Sequence, residues 1–253
     1  AQNEAGGAKN IASGYHALEF LLWGQDLNDP PQSAGQRSHA DFIASGGAND
    51  TNARRGQYLK AATTLLLSDL EHVADQWREP AKGQTNYRSD LITGDVPTAL
   101  KRMFTGMAAL AEVEMAGERM NVPLLSSDQE EEQSCFSDTT AADLRANAAG
   151  IEHVYYAKYT RLDGTTIQGP SPADLLRGKD SGMAEEMDVR IARVREAVQA
   201  IEDPFDREIV AENAAGQARV QAAIDALRAE ALSFTRAARS IQIFLSDLQG
   251  LGD

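Results

Sequence analysis

The chain predicts an all-α protein built as two packed antiparallel helical bundles, and three observations carry that prediction. Apolar residues recur every three or four positions along several long stretches, the period of a helix with one buried face. No segment sustains the alternation of a half-buried strand, and no Asn-Gly or Asp-Gly pair joins two β-branched runs. Capping residues and early prolines stand where the periodic stretches begin. Long helices joined by short or medium loops pack as antiparallel bundles. Residues 1–125 are expected to contribute to the first and residues 126–253 to form the second.

In chain order, the first helical run lies between Gly14 and Gly24 and is apolar apart from His16 and Glu19. From Thr51 to Trp77, Leu59, Ala62, Leu66, Leu70 and Val73 recur opposite Arg55, Lys60, Asp69 and Gln76. Asp95-Val96-Pro97 reads as a cap followed by an early-turn proline. The helix it opens carries Leu100, Phe104, Met107, Leu110, Val113 and Met115 to about Met120, where Asn121-Val122-Pro123 is expected to stop it. Asp138 is expected to cap a helix from Thr139 to about Leu162, ended by Asp163-Gly164. Ser171-Pro172 opens a short helix through Arg177. Two long helices follow, Gly182 to Glu202 and Asn213 to Leu248, with Pro204 between them. Thr165-Thr166-Ile167 reads as loop. Gln25 to Asn52, Glu79 to Asp95 and Pro123 to Ser137 read as irregular, and connections of that length often carry function.

Composition narrows the function. The 253 residues are 42% hydrophobic, enough for a substantial core, and 25% charged. Thirty-eight acidic residues against 24 basic give a net charge of −14, with no basic surface to release counterions from a phosphate backbone, so nucleic acid is not an expected partner. The single cysteine, Cys135, has no intrachain disulfide partner and reads as a small buried hydrophobe. No stretch approaches the roughly 18 apolar residues of a membrane span. Phosphate-loop, nucleophile-elbow, dinucleotide and His-Glu-x-x-His patterns are all absent from the sequence.

His16 and Glu19 are three residues apart, so on a helix they project from nearly the same face. Apolar neighbours predict that the segment is buried, where an ionisable pair is costly unless partnered or metal-bound. The spacing is compatible with half of a metal site or with a structural hydrogen-bonded pair. Glu114 and Glu118 are one α-helical turn apart, as in carboxylate metal sites between bundle helices. Glu130-Glu131-Glu132 reads as a solvated run, His39 as isolated, His72 as a solvated position on a charged helix face, and His153 as a core histidine.

Three stretches together carry a resemblance. Gly14-Tyr15-His16-Ala17-Leu18-Glu19-Phe20-Leu21-Leu22-Trp23-Gly24-Gln25-Asp26 resembles the Gly-x-His-x-x-Glu signature of the imelysin-like family. Gly117-Glu118-Arg119-Met120 resembles its GERM segment, and Gln129 to Asp138 its QEDEHSCFSD segment, with Gln133 in place of His and Glu131 in place of Asp. The family includes iron-regulated proteins and was named for a proposed insulin-cleaving peptidase. The resemblance implies two helical bundles with the signature near their interface, the first incomplete at its N-terminus here. It also implies a place in the periplasm or at the outer membrane and an association with iron supply.

The leading expectation is a non-enzymatic metal-binding protein of iron acquisition. Iron or zinc would be held by His16 and Glu19 and completed by carboxylates such as Glu114 or Glu118. Expected partners besides the metal are outer-membrane or iron-uptake proteins and a chain supplying the missing N-terminal helices. The alternatives are a zinc-dependent metallopeptidase, which needs three protein ligands and an open position, and a scaffold that binds a protein or haem-like ligand without metal.

Overall fold

The structure, a computed structural model, describes residues 12–27, 33–46 and 50–245. Among the described residues it is all-α apart from one two-stranded hairpin. The chain divides into two compact units, one drawn from Ala1–Gly94 and Ser134–Asp138, the other from Asp95–Gln133 and Thr139–Asp253.

In the first unit, α1 (Tyr15–Trp23) leads through a 3₁₀ turn at His39–Phe42 to the 27-residue α2 (Thr51–Trp77) and the short α3 (Tyr87–Thr93). Asp50 caps α2, its carboxylate accepting from the Ala53 N–H at 2.9 Å. Helix α3 falls inside a stretch expected to be irregular. A capping box between Asn86 and Ser89 starts it, and the Asn86 amide also donates to the carbonyls of Asp75 and Arg78 at the end of α2. Only Ala62 of α2 is buried; along its apolar stripe Leu59 and Leu66 are half-buried and Leu70 and Val73 exposed, as are Leu67 and Trp77. Helix α1 departs from expectation in the same way: Glu19 and Leu21 are buried, but Tyr15, Phe20, Leu22 and Trp23 are not.

The second unit holds the main core. Helix α4 (Val96–Ala109), capped by Asp95 with Pro97 in its first turn, runs into a π-helical segment, Leu110–Asn121, and then α5 (Val122–Ser126). Pro123 therefore does not stop the chain. It sits in the first turn of α5, where its missing N–H has no intrahelical duty. The N-cap position of helix α6 (Thr140–Tyr156) is Thr139 rather than the expected Asp138, which takes a left-handed conformation (φ +56°). It also ends six residues early, at a left-handed Ala157 (φ +45°).

From there β1 (Lys158–Thr160) and β2 (Thr166–Gln168) pair antiparallel, Lys158 opposite Gln168 and Thr160 opposite Thr166. The Asp163 carboxylate ties the connecting loop, accepting from the backbone (2.9 Å) and hydroxyl (2.6 Å) of Thr165. Helices α7 (Pro172–Lys179), α8 (Ser181–Ala200), the short α9 (Asp206–Ile209) and α10 (Ala214–Ser240) complete the unit. Helix α10 ends at Ser240, eight residues before the expected limit; residues 246–248 lie outside the described residues.

Helix α10 packs along α8, the π-helical segment and α4, and α6 packs on α8. Phe104, Met115, Met120, Leu144, Tyr155, Met187 and Phe234 are fully buried between them. Among the described residues no helix is long and apolar enough to cross a membrane.

Candidate functional site

Both ends of α1 are set by glycines at positive φ, Gly14 at +88° and Gly24 at +78°, a conformation that side chains with a Cβ rarely adopt. Between them the helix brings His16 over Glu19, and His16 Nδ1 lies 2.7 Å from Glu19 Oε2. The two differ in burial: the Glu19 side chain is 9% exposed and that of His16 45%. The other carboxylate oxygen, Oε1, accepts from the Ser137 backbone N–H at 2.9 Å and from its hydroxyl at 2.7 Å. Ser137 is 118 positions away in sequence and belongs to the stretch that returns to this unit.

Two more segments fix this arrangement. The Phe136 ring meets Phe20 edge-on with centroids 5.1 Å apart, and the Phe136 carbonyl accepts from the Gly35 N–H at 2.9 Å. Arg37 covers the C-terminal end of α1. Its backbone N–H donates to the Trp23 carbonyl at 2.7 Å, and its guanidinium donates to the Phe20 carbonyl at 3.3 Å while lying 5.4 Å from the Phe20 ring centroid. The approach is so close at Gly35 that an added Cβ would stand 2.7 Å from the carbonyl oxygens of Trp23 and Gly24. A cavity of about 430 Å³ beside this end is lined by Trp23, Leu27, Arg37 and Asp41, among others.

The electrostatics follow from these contacts. Burial pushes the Glu19 carboxyl upward, but donation from His16 and twice from Ser137, with the charge of His16, outweighs it and holds the group below its ordinary 4.5. Glu19 is therefore ionised at neutral pH, and an ionised carboxylate only accepts. The hydrogen in the 2.7 Å contact belongs to His16 Nδ1, which makes Nε2 the basic nitrogen of the neutral ring. A carboxylate that accepts from one ring nitrogen in this way fixes the tautomer and orientation of a metal-ligating histidine.

The four residues expected to hold metal thus divide. His16 and Glu19 are brought together in the first unit. Glu114 and Glu118 lie in the second unit, on the π-helical segment, where residues five apart become neighbours. Glu114 consequently meets Arg119, at 3.0 Å, and Glu118 is exposed. His39 and His72 are exposed. His153, expected in the core, is exposed as well and packs edge-on against Tyr159 with centroids 5.1 Å apart. The acidic run is solvated at Glu130 and Glu131, but Glu132 is buried, 6% exposed. Cys135 is buried and in no disulfide. Ser137 is the participant that sequence reasoning missed. It lay within the resembling segment, but nothing local marks it as a partner of Glu19.

The family model of peptidase M75, imelysin, matches residues 1–234. Iron-regulated protein A of Synechococcus elongatus is 24% identical over 200 residues, which cover 76% of this chain and 48% of that protein. The chain thus spans about half the length of the curated relative it matches. Two crystal structures share the fold. An iron-regulated protein A precursor from Parabacteroides distasonis superposes with a TM-score of 0.68 at 16% identity, covering 92% of this chain and 65% of that one. An imelysin peptidase from Bacteroides ovatus gives 0.53 at 21% identity, covering 70% and 51%.

Proposed function

We propose that this chain, which belongs to the imelysin family, peptidase M75, binds a divalent metal ion through Nε2 of His16 and serves an iron-related role outside the cytoplasm. The observation that carries the proposal is the relay from Ser137 to Glu19 to His16, with contacts of 2.7 Å at both of its side-chain links. It leaves a half-exposed imidazole oriented by a buried carboxylate, the arrangement that precedes metal binding in many histidine sites. In this reading Glu19 orients the ligand, because both of its oxygens already accept hydrogen bonds. Glu114 and Glu118 remain candidates for a metal role of their own, and the proposal does not depend on them.

Imidazole suits iron and zinc alike. The choice of iron is supported by the name of the Synechococcus relative, and the location by the description of the Parabacteroides relative as a precursor. The exposed apolar residues of α1 and α2 support a further proposal, that additional helical protein packs on the first unit. The Bacteroides relative is named a peptidase. A hydrolytic metal site needs an open position and a carboxylate able to activate water, and Glu19 is already committed to His16 and Ser137. We therefore favour binding over hydrolysis.

Calorimetric titration of the purified protein with Fe²⁺ under anaerobic conditions, and with Zn²⁺, tests the reading. One ion per chain is expected, with affinity that falls as pH drops from about 7.5 to about 5.5 because protons compete for the ring nitrogen. His16→Ala should abolish binding while the melting of the first unit barely moves. A wild type that takes up neither ion, or a variant that binds as well as wild type, overturns it.

A further inference from the structure

A second site stands in the other unit. A cavity of about 630 Å³ opens where the end of α6, the hairpin, the start of α7 and one side chain of α8 converge. Its size is that of small-ligand pockets. Three permanent cations line it, Lys158, Arg177 and Arg195, with His153 beside them, against the carboxylates Glu152 and Asp174. In a chain of net charge −14 a lining with more cations than carboxylates runs against the general composition.

Its carboxylates are already engaged. Glu152 takes Nη1 of Arg195 at 2.8 Å. Asp174 closes the capping box of α7, accepting from the backbone and hydroxyl of Ser171 at 3.1 and 2.7 Å. Asp188 accepts from the Tyr156 hydroxyl at 2.8 Å and from Arg177 at 2.9 Å, which braces the arginine from outside the lining. Lys158 forms no ion pair among the described residues. The hairpin register places Lys158, Thr160 and Gln168 on one face, and all three line the cavity, so the ammonium group is accompanied by neutral hydrogen-bonding groups.

We propose that this cavity binds a small multivalent oxyanion, held by Lys158, Arg177 and Arg195. Guanidinium forks suit carboxylate and phosphate oxygens equally. The two sources of such oxygens are a polycarboxylate and a phosphate ester or polyphosphate. The site is independent of His16 and of the metal proposal.

Calorimetry on metal-depleted protein at low salt, with citrate as one probe and inorganic pyrophosphate as the other, tests the assignment. One of the two, or both, should bind at one per chain with a Kd on the order of 10 µM to 1 mM, and the tighter probe identifies the source. Lys158→Ala, on an exposed strand and free of ion pairs, should weaken binding about fivefold or more, and Arg195→Glu about tenfold or more. His16→Ala should leave it unchanged. Failure of both probes to bind at millimolar concentration overturns the proposal. So does affinity unchanged in both cavity variants, or equal binding of a neutral polyol of the same size.

Discussion

Glu19→Ala should destabilise the first unit by about 3 kcal/mol at pH 7, with His16→Ala costing less than about 1 kcal/mol. The asymmetry follows from burial. Removing the Glu19 carboxylate strands the Ser137 N–H and hydroxyl and the His16 Nδ1–H, three donors that all serve one buried group. Removing the half-exposed imidazole opens one carboxylate oxygen to water, which takes the place of the lost donor. Both tryptophans of the chain, Trp23 and Trp77, lie in the first unit, so urea unfolding followed by tryptophan fluorescence reads that unit alone.

The sign of the pH dependence is fixed by the same contacts. The folded Glu19 carboxyl lies below its ordinary 4.5, so the unfolded chain binds the proton more readily. Its contribution is complete above about pH 4.5 and is lost as pH falls through the lower, folded value. Wild type and Glu19→Gln should therefore differ most near neutrality and converge in acid. A gap that widens in acid contradicts the assignment.

The second large effect is expected in the other unit, at Glu230 on α10. This side chain is 1% exposed within the helix face that carries Leu227, Ala231 and Phe234 into the core. Burial, and secondarily the charge of Glu152, push its carboxyl up to about 8. Here the folded group holds its proton more tightly than the unfolded one. Stability is therefore highest in mild acid, falls as pH rises from about 4.5 to about 8, and levels off above. The wild type should lose on the order of 3 kcal/mol through this group between pH 5 and pH 9. Glu230→Gln has no such group and should be the more stable protein at pH 9, with the advantage gone near pH 4.5. Circular dichroism melts at the two pH values measure it, and a variant less stable than wild type at pH 9 contradicts the account.

Helix α2 illustrates what the sequence makes legible. Its predicted limits, Thr51 and Trp77, are those observed, because the leucine and alanine spacing and the Asp50 cap are local signals. The starts marked by Asp95-Val96-Pro97, Ser171-Pro172 and Asn213 are equally local and equally clear. The π-helical segment was not legible, since α-helical spacing paired Glu114 with Glu118, whereas the wider turn pairs Glu114 with Arg119. The hairpin strands are three residues each, too short to display a period of two. Periodicity placed α1 in a buried setting, but it registers only that a residue is apolar, not that a partner surface covers it.

The candidate site was half legible for a related reason. His16 and Glu19 are three residues apart, a spacing that any helix turns into proximity. Ser137 reaches Glu19 only through tertiary structure, and this contact is what supports the proposal that Glu19 orients His16.

The most direct measurement of the central claim is a ¹⁵N-labelled imidazole spectrum recorded while Zn²⁺ is added. The chain has four histidines, His16, His39, His72 and His153, and His16→Ala assigns the signal of interest. In the metal-free protein His16 Nδ1 should carry the proton donated to Glu19. One equivalent of Zn²⁺ should shift its Nε2 resonance as the metal binds, with the other three rings unmoved. A His16 ring without a proton on Nδ1, or one whose resonances stay in place while metal is taken up elsewhere, contradicts the account.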